Sequence, residues 1–395
     1  MRRLGAPPVT VCHVTTVHPA LDVRIARKEL ASLARAGFDC VLIAHGEPGS
    51  RDEALALGVD LVDLGPRRTT RRLSRMVGSS ARAFARALAA KASVYHVHDP
   101  ELVPVGLVLK ALGRRVILDV HEDLKAQIEV KHWIPPGARV PIGALARWLE
   151  RVAARRFDAV VAATPFIGQL FEPYARRVAV VNNYPWTDEL HDAGVPGGAD
   201  WSARDRVLYV GGISDLRGVR ELVEAAERAC TRVLLAGSWF TPAERDRARA
   251  LPGYAYVEEL GQVGRAALRP LFGRSFAGIC ALHATPNHLN AQPIKLFEYM
   301  AAGLPVIASD FPLWRSIVEG AGCGVLVDPT NPERIADAIR HLREHPAQAR
   351  EMGRRGREAV LGRYNWEREG EALVALYDEL GVRRPAGRAD PAVHA

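Results

Sequence analysis

Short β-branched runs alternate with helix-patterned stretches along this chain, and the alternation breaks once and then starts again. Strand-like runs at 9–14, 40–44, 94–98, 116–120, 159–163 and 178–181 are interleaved with helical patterns over 23–36, 70–91 and 101–112. A strand that must cross over through a helix before meeting its neighbour pairs with it in parallel, so the pattern predicts a doubly wound α/β sheet. The turn-rich stretch from Asn182-Asn183-Tyr184-Pro185 to Val195-Pro196-Gly197-Gly198 has no periodicity and reads as an interdomain linker. Beyond it, strands at 207–210, 233–236, 254–257, 277–280, 305–308 and 324–327 resume the alternation. At 395 residues the chain is long enough for two such halves, each with its own core.

Composition excludes several classes of protein. Hydrophobic residues make up 48% and charged residues 25%, ordinary values for packed globular domains. No apolar run approaches the roughly 18 residues that span a bilayer. Met1-Arg2-Arg3 leads into a strand-like run with no small-residue cleavage pattern, so a cytoplasmic protein is expected. Cysteines at 12, 40, 230, 280 and 323 are scattered and odd in number, which argues against a disulfide framework or a zinc cluster. The net charge of +8 lies in one half: residues 1–190 hold 27 Lys and Arg against 19 Asp and Glu, and residues 191–395 hold 26 of each. Within it, Arg68, Arg72, Arg75, Arg82 and Arg86 recur at helical spacing, with Leu73, Val77, Phe84 and Leu88 on another face. Such a stripe suits an anionic membrane surface, or is a solvated helix face. Interleaved aromatics and nucleic-acid motifs are missing, so nucleic acid is not an expected partner.

The densest chemical signal is 286–310, which reads as a loop, a helix opened by Pro293, the turn Gly303-Leu304-Pro305 and a buried strand. Lys295 and Glu298 share one helix face, and Phe297, Met300 and Ala301 form the opposite one, which leaves the first free for chemistry. The helix dipole disfavours a cation in the first turn, so an anion bound there would account for Lys295. Glu298, one turn on, can accept bonds from paired hydroxyls. Phosphate plus diol points to a nucleotide.

Pro293, Lys295, Phe297-Glu298-Tyr299-Met300-Ala301, Gly303 and Pro305-Val306-Ile307-Ala308-Ser309 together resemble the donor-binding motif of family 4 glycosyltransferases, retaining enzymes of the GT-B fold, especially the bacterial polysaccharide subgroup. Asp22-Val23-Arg24 and His98-Asp99-Pro100-Glu101 resemble the same subgroup. The resemblance implies two Rossmann-like domains facing a central cleft, an acceptor domain over 1–188 and a donor domain over 200–362. It further implies a helix over 363–382 that crosses back to the first domain, before a flexible tail at 383–395. The implied reaction moves a hexosyl group from a UDP- or GDP-linked sugar to a glycan, lipid-linked sugar or small-molecule glycoside, in polysaccharide or secondary-metabolite biosynthesis. Family members face the donor with a pair of glutamates; the second matches Glu298 and the first falls on Asn290, which removes a charge. Gln292, Ile294 and Leu296 complete this stretch of the expected donor site.

A second cradle is expected where the strand at 207–210 ends in Gly211-Gly212, with Arg217 leading into a helix over 219–229. Glycines let the backbone approach a phosphate, and helix N-terminal amides favour it. Beside 286–310 this turn reads as a diphosphate site, with Arg217 and Lys295 as catalytic cations. Related sequences usually carry arginine where Gly212 stands and lysine where Arg217 stands. Gly237 and the Gln262-Val263 turn, which resembles one that reads the base edge in related enzymes, are further donor-side residues.

In the first half, two strand ends carry histidine, at 95–101 and 118–123, and ligands of doubly wound sheets collect at such ends. His121 matches a family histidine that faces the transferred sugar, and Thr16, His18, Asp22, Arg24, His98 and Asp99 are expected on the acceptor side. There is no Asp-x-Asp, Cys-x-x-Cys or His-Glu-x-x-His, so no catalytic metal and no cofactor beyond the nucleotide sugar are expected. Two rivals stay open: a nucleotide-sugar epimerase of the same fold using Glu101, Glu122 and Asp123 as acid and base, and a non-catalytic scaffold at the membrane.

Overall fold

A computed structural model describes residues 11–66, 72–129, 134–188, 201–382 and 384. The chain divides into two compact units, residues 1–183 with 368–395, and residues 184–367.

The first unit holds a seven-stranded parallel sheet of β1 (Val11–Pro19), β2 (Cys40–His45), β3 (Val59–Asp63), β4 (Val94–Val97), β5 (Arg115–Val120), β6 (Ala159–Ala162) and β7 (Val178–Val180). Its order is β3-β2-β1-β4-β5-β6-β7, so the winding reverses between β1 and β4, where His13 pairs with His96. Helices cover both faces, which is why β1, β2 and β4 read as nearly continuous apolar runs. Several elements escape sequence patterning, the short helix Leu124–Glu129 among them. The edge strand β3 follows a short helix, Ser50–Ala56, and the helices Pro136–Arg156 and Pro165–Phe171 were hidden by an internal Pro141, many arginines and brevity. The helix expected over 23–36 begins instead as a π-helical turn, Ile25–Leu30, before the α-helix Ala31–Arg35. Lys28 and Glu29, adjacent in sequence, are both fully buried in that wide turn.

The arginine stripe falls on the helix Arg72–Ala90. Arg68 and the side chains of Arg72, Leu73 and Arg75 lie outside the described residues. Arg82 is half-buried and Arg86 exposed. The face expected to be apolar is divided, since Phe84 packs on the core while Val77 is 70% exposed.

The second unit holds β8 (Arg206–Val210), β9 (Arg232–Ala236), β10 (Val257–Gly261), β11 (Ser275–Cys280), β12 (Val306–Ser309) and β13 (Gly324–Val327), all parallel, in the order β10-β9-β8-β11-β12-β13. The strand expected at 254–257 starts only at Val257, because Pro252 favours the 3-10 turn Pro252–Tyr256 that precedes it. The last helix, Trp366–Glu379, contributes residues from Arg368 onward to the first unit, where Tyr377 is fully buried. Among the described residues no helix is long and apolar enough to cross a membrane.

Candidate active site

The double glycine follows β8, beside the reversal of strand order in the second sheet, where ligands of such sheets gather. Gly211 has φ +114°, and Gly237 after β9 approaches it so closely that a Cβ on Gly237 would come within 1.8 Å of the Gly211 carbonyl oxygen. Amide hydrogen bonds from Gly211 to Ala236 O (2.9 Å) and from Gly237 to Gly261 O (2.7 Å) join three strand ends into one backbone floor.

Lys295 reaches this floor from the helix Ile294–Ala301, and a Cβ on Gly211 would sit 3.5 Å from its Nζ. The open helix face expected for Lys295 is not there. The helix is packed all round, with Leu296, Phe297, Tyr299 and Met300 fully buried, and Lys295 is buried with them. Its ammonium has no hydrogen-bond partner among the described residues and lies 3.8 Å from the centre of the Tyr209 ring. Burial, helped by the nearby Arg217 charge, pulls its pKa down to about 8.

Arg217 ends a 3-10 turn, Asp215–Arg217, instead of opening the α-helix; Gly218, at φ +72°, separates it from the helix Val219–Arg228. Its guanidinium donates to Gly212 O at 3.4 Å and stacks 4.9 Å from the Phe240 ring centre. A Cβ at position 212 would lie 2.5 Å from that ring, so the ring packs directly over the glycine. Phe240 is 60% exposed and escaped sequence reasoning. Its signal was an aromatic pair directly after Gly237-Ser238.

Around the helix start, Pro293 is the cap and not the first helical residue, and Asn290 ends the short helix Pro286–Leu289. Trp314 Nε1 donates to Ala291 O (2.8 Å) and the Tyr184 hydroxyl to Gln292 Oε1 (2.7 Å), which hold this loop. Leu296 packs into the core, so it offers no side chain to a ligand. Ile294 is half-buried at the helix start. Glu298 is met by Arg265 at 3.4 Å, a second residue missed by the sequence reading. Gln262 Oε1 accepts from the Ser238 hydroxyl at 3.3 Å, and Val263 packs against the core.

In the first unit, His18, Asp22 and His121 are half-buried at the strand ends. His18 Nδ1 is 3.6 Å from Asp22 Oδ2, and the His18 and His121 rings are 5.1 Å apart. Burial opposes charge here, yet the bond from His18 and the Ile25 amide take Asp22 down to about 2. His18 moves the opposite way: burial would lower its pKa, but Asp22 and Asp99 outweigh burial and raise it. Thr16, Arg24, His98 and Asp99, expected to line the acceptor side, are buried instead. Asp99 Oδ2 is occupied by the Thr15 hydroxyl (2.8 Å) and the amides of Thr16 (2.6 Å) and Val17 (3.2 Å), which shapes the loop. Arg24 donates to Val181 O (2.7 Å) and Asp119 Oδ1 (3.1 Å). These four support the half-buried trio from below.

Comparison with known proteins completes the picture. Residues 23–183 match the family described as a glycosyl transferase 4-like domain, and residues 204–345 match glycosyl transferases group 1. Alpha-maltose-1-phosphate synthase of Mycolicibacterium smegmatis is 29% identical over 266 residues, 60% of this chain and 66% of that protein, so the match spans just under two thirds of that relative. Sucrose-phosphate synthase from Thermosynechococcus elongatus superposes with a TM-score of 0.73 at 20% identity, covering 94% of this chain and 99% of that one. Anabaena HepE in complex with UDP gives a TM-score of 0.69 at 14% identity, over 94% and 100% of the two chains. With two doubly wound parallel sheets and a family match on each half, this chain belongs to the family 4 glycosyltransferases of the GT-B fold.

Proposed function

We propose that the chain moves a hexosyl group from a nucleoside diphosphate sugar to an acceptor hydroxyl, with retention at the anomeric carbon. The convergence of two cations on one glycine turn carries this reading: Lys295 Nζ and Arg217 Nη1 lie 3.5 and 3.2 Å from where Cβ atoms on Gly211 and Gly212 would be. A leaving diphosphate gains charge as the glycosidic bond breaks, so preorganised cations and loop amides stabilise it most at the transition state. Among the described residues Lys295 Nζ has no hydrogen-bond partner, and such an anion would supply one. With the charge met in this way, the reaction needs no metal at the leaving group.

Glu298 receives the ribose hydroxyls in this reading. UDP in the related HepE structure supports a uridine donor, with GDP as the alternative. His121, with His18 and Asp22, faces the transferred sugar and the acceptor, and the leaving phosphate takes the acceptor's proton as the new bond forms on the same face. Family matches on both halves leave the epimerase and scaffold readings without support. A lipid-linked acceptor at an anionic membrane fits the first unit, where Val140, Leu145 and Trp148 are 65, 56 and 58% exposed on the arginine-rich helix Pro136–Arg156.

Incubation with UDP- and GDP-hexoses and with lipid-linked or soluble acceptors tests the proposal. The expected result is acceptor-dependent release of nucleoside diphosphate, with NMR of the product giving the donor's anomeric configuration. Donor epimerised without an acceptor, or an inverted product, would overturn it.

A further inference from the structure

Beneath the half-buried trio of the first unit lies a group of ionisable side chains that the proposed transfer does not use. Strand pairing sets His13 of β1 beside His96 of β4, with His98 two residues further on. Glu29 enters from the π-helical turn, and all four side chains are fully buried. One nitrogen from each imidazole and one Glu29 oxygen lie within 4.8 Å of one another.

The outer nitrogens of this group are already held. Tyr377 Oη is 2.9 Å from His13 Nε2 and 2.9 Å from His96 Nδ1. That hydroxyl can donate to His13 Nε2 and accept from His96 Nδ1, which puts the proton of His13 on Nδ1 and the lone pair of His96 on Nε2. His98 Nδ1 lies 3.3 Å from Asp119 Oδ2, a carboxylate that can only accept, so the lone pair of His98 is on Nε2. His13 Nδ1 and His98 Nε2 are 2.9 Å apart, and Glu29 Oε2 is 3.6 and 3.8 Å from them. Glu29 Oε2 and His96 Nε2 have no hydrogen-bond partner among the described residues. Arg24 is shared between Asp119 and Glu29 Oε1, so one guanidinium faces two carboxylates. Four potential ligand atoms converge here, and a metal ion would displace the proton that His13 and His98 share.

We propose that His13, Glu29, His96 and His98 bind one divalent transition-metal ion of the zinc type. Bonds of about 2.0–2.2 Å in a tetrahedral site separate the donor atoms by roughly 3.3–3.5 Å, and the three measured separations straddle that value. Imidazole with one carboxylate is a donor set that suits such ions, and Tyr377 and Asp119 stand where outer hydrogen bonds orient metal-bound histidines. The ion has a structural role, tying β1, the end of β4 and the π-helical turn together next to Asp119. It takes no part in the diphosphate chemistry of the second unit.

The test uses the full chain without a polyhistidine tag, expressed in minimal medium containing zinc or cobalt and passed through chelator before elemental analysis. About one metal per chain is expected, together with the intense visible absorption of four-coordinate cobalt, and Glu29→Gln and His98→Asn should lose both. Circular dichroism and nucleotide binding establish that the variants are folded. If they do not fold, wild-type stoichiometry and the cobalt spectrum decide alone. Folded wild-type protein with less than about a tenth of an equivalent and no cobalt band would overturn the proposal, leaving the group closed by protons alone. Undiminished metal in folded Glu29→Gln would overturn it equally.

Discussion

Lys295 Nζ lies 3.8 Å from the centre of the Tyr209 ring, and the hydroxyl of that tyrosine donates to Gly212 O at 2.6 Å. One aromatic side chain therefore both shapes the glycine turn and faces the buried cation aimed at it. A cation–π contact offsets part of the cost of desolvating an ammonium, but not all of it. Lys295 is thus kept at the expense of stability, the pattern expected of a group positioned for a ligand.

Lys295→Met should separate the two effects. Holding the ammonium at a pKa of about 8 instead of 10.5 costs about 3 kcal/mol at neutral pH, so the nucleotide-free variant should melt at a higher temperature than wild type. Turnover should fall by about 2–4 kcal/mol of transition-state stabilisation, roughly 30- to 1000-fold, and Arg217→Ala should fall in the same range. Melting curves and steady-state kinetics read both. Retention of full turnover by both variants would remove the phosphate assignment.

Nucleoside diphosphate affinity should weaken with pH. The free protein loses the Lys295 proton as pH rises through about 8, while the bound diphosphate retains it. Binding at pH 9 should then be about 5- to 10-fold weaker than at pH 7, with proton uptake visible by calorimetry in buffers of different ionisation enthalpy. Stability of the nucleotide-free protein moves the other way. The unfolded lysine binds more protons between pH 8 and 10.5, so this group's contribution to stability rises across that window. A pH-independent dissociation constant would show that the buried ammonium does not meet the diphosphate.

Glu150 offers a purely structural counterpart. Burial raises its pKa to about 7, while Arg147, 3.7 Å away, recovers only part of the loss. A carboxyl whose folded pKa exceeds its unfolded value of 4.5 contributes stability below pH 4.5 and loses it as pH rises through about 7. Glu150→Gln should therefore stabilise the protein by about 1–3 kcal/mol at pH 8 and by little at pH 4.5. Parallel melting-temperature profiles for the two proteins would refute this.

Membrane association can be checked by flotation. Protein should rise with vesicles containing anionic lipid at low salt and release at high salt, since attraction is about 1 kcal/mol per arginine near the surface and is screened by ions. Trp148→Ala should weaken flotation without changing turnover on a soluble acceptor. Equal behaviour with neutral and anionic vesicles would leave a cytoplasmic acceptor as the better reading.

Alternation of β-branched runs with helix patterns was enough to predict two parallel, doubly wound sheets, because a parallel neighbour can be reached only through a crossover. The 286–310 segment likewise holds Lys295 and Glu298, the groups proposed for the donor, in a short stretch where helix position and residue type act together. Element limits and local breaks in periodicity were harder to read. The π-turn at Ile25–Leu30 and the 3-10 turn at Pro252–Tyr256 arise from packing and proline geometry that a helix or strand period does not encode. Burial was the other quantity decided in three dimensions. Lys295 reads from sequence as a residue on an open face, yet the fold encloses it; Thr16, Arg24, His98 and Asp99 read as a binding surface, yet the fold spends their hydrogen bonds on support. His13, Glu29, His96 and His98 follow no metal-ligand spacing, and they meet because β1 and β4 are neighbours at the point where the sheet reverses its winding. Sequence alone determined which kinds of chemistry this chain carries, because residue type and local spacing are written in it. Tertiary structure decided which of those groups face a ligand, because long-range packing sets which are desolvated and which remain without a partner.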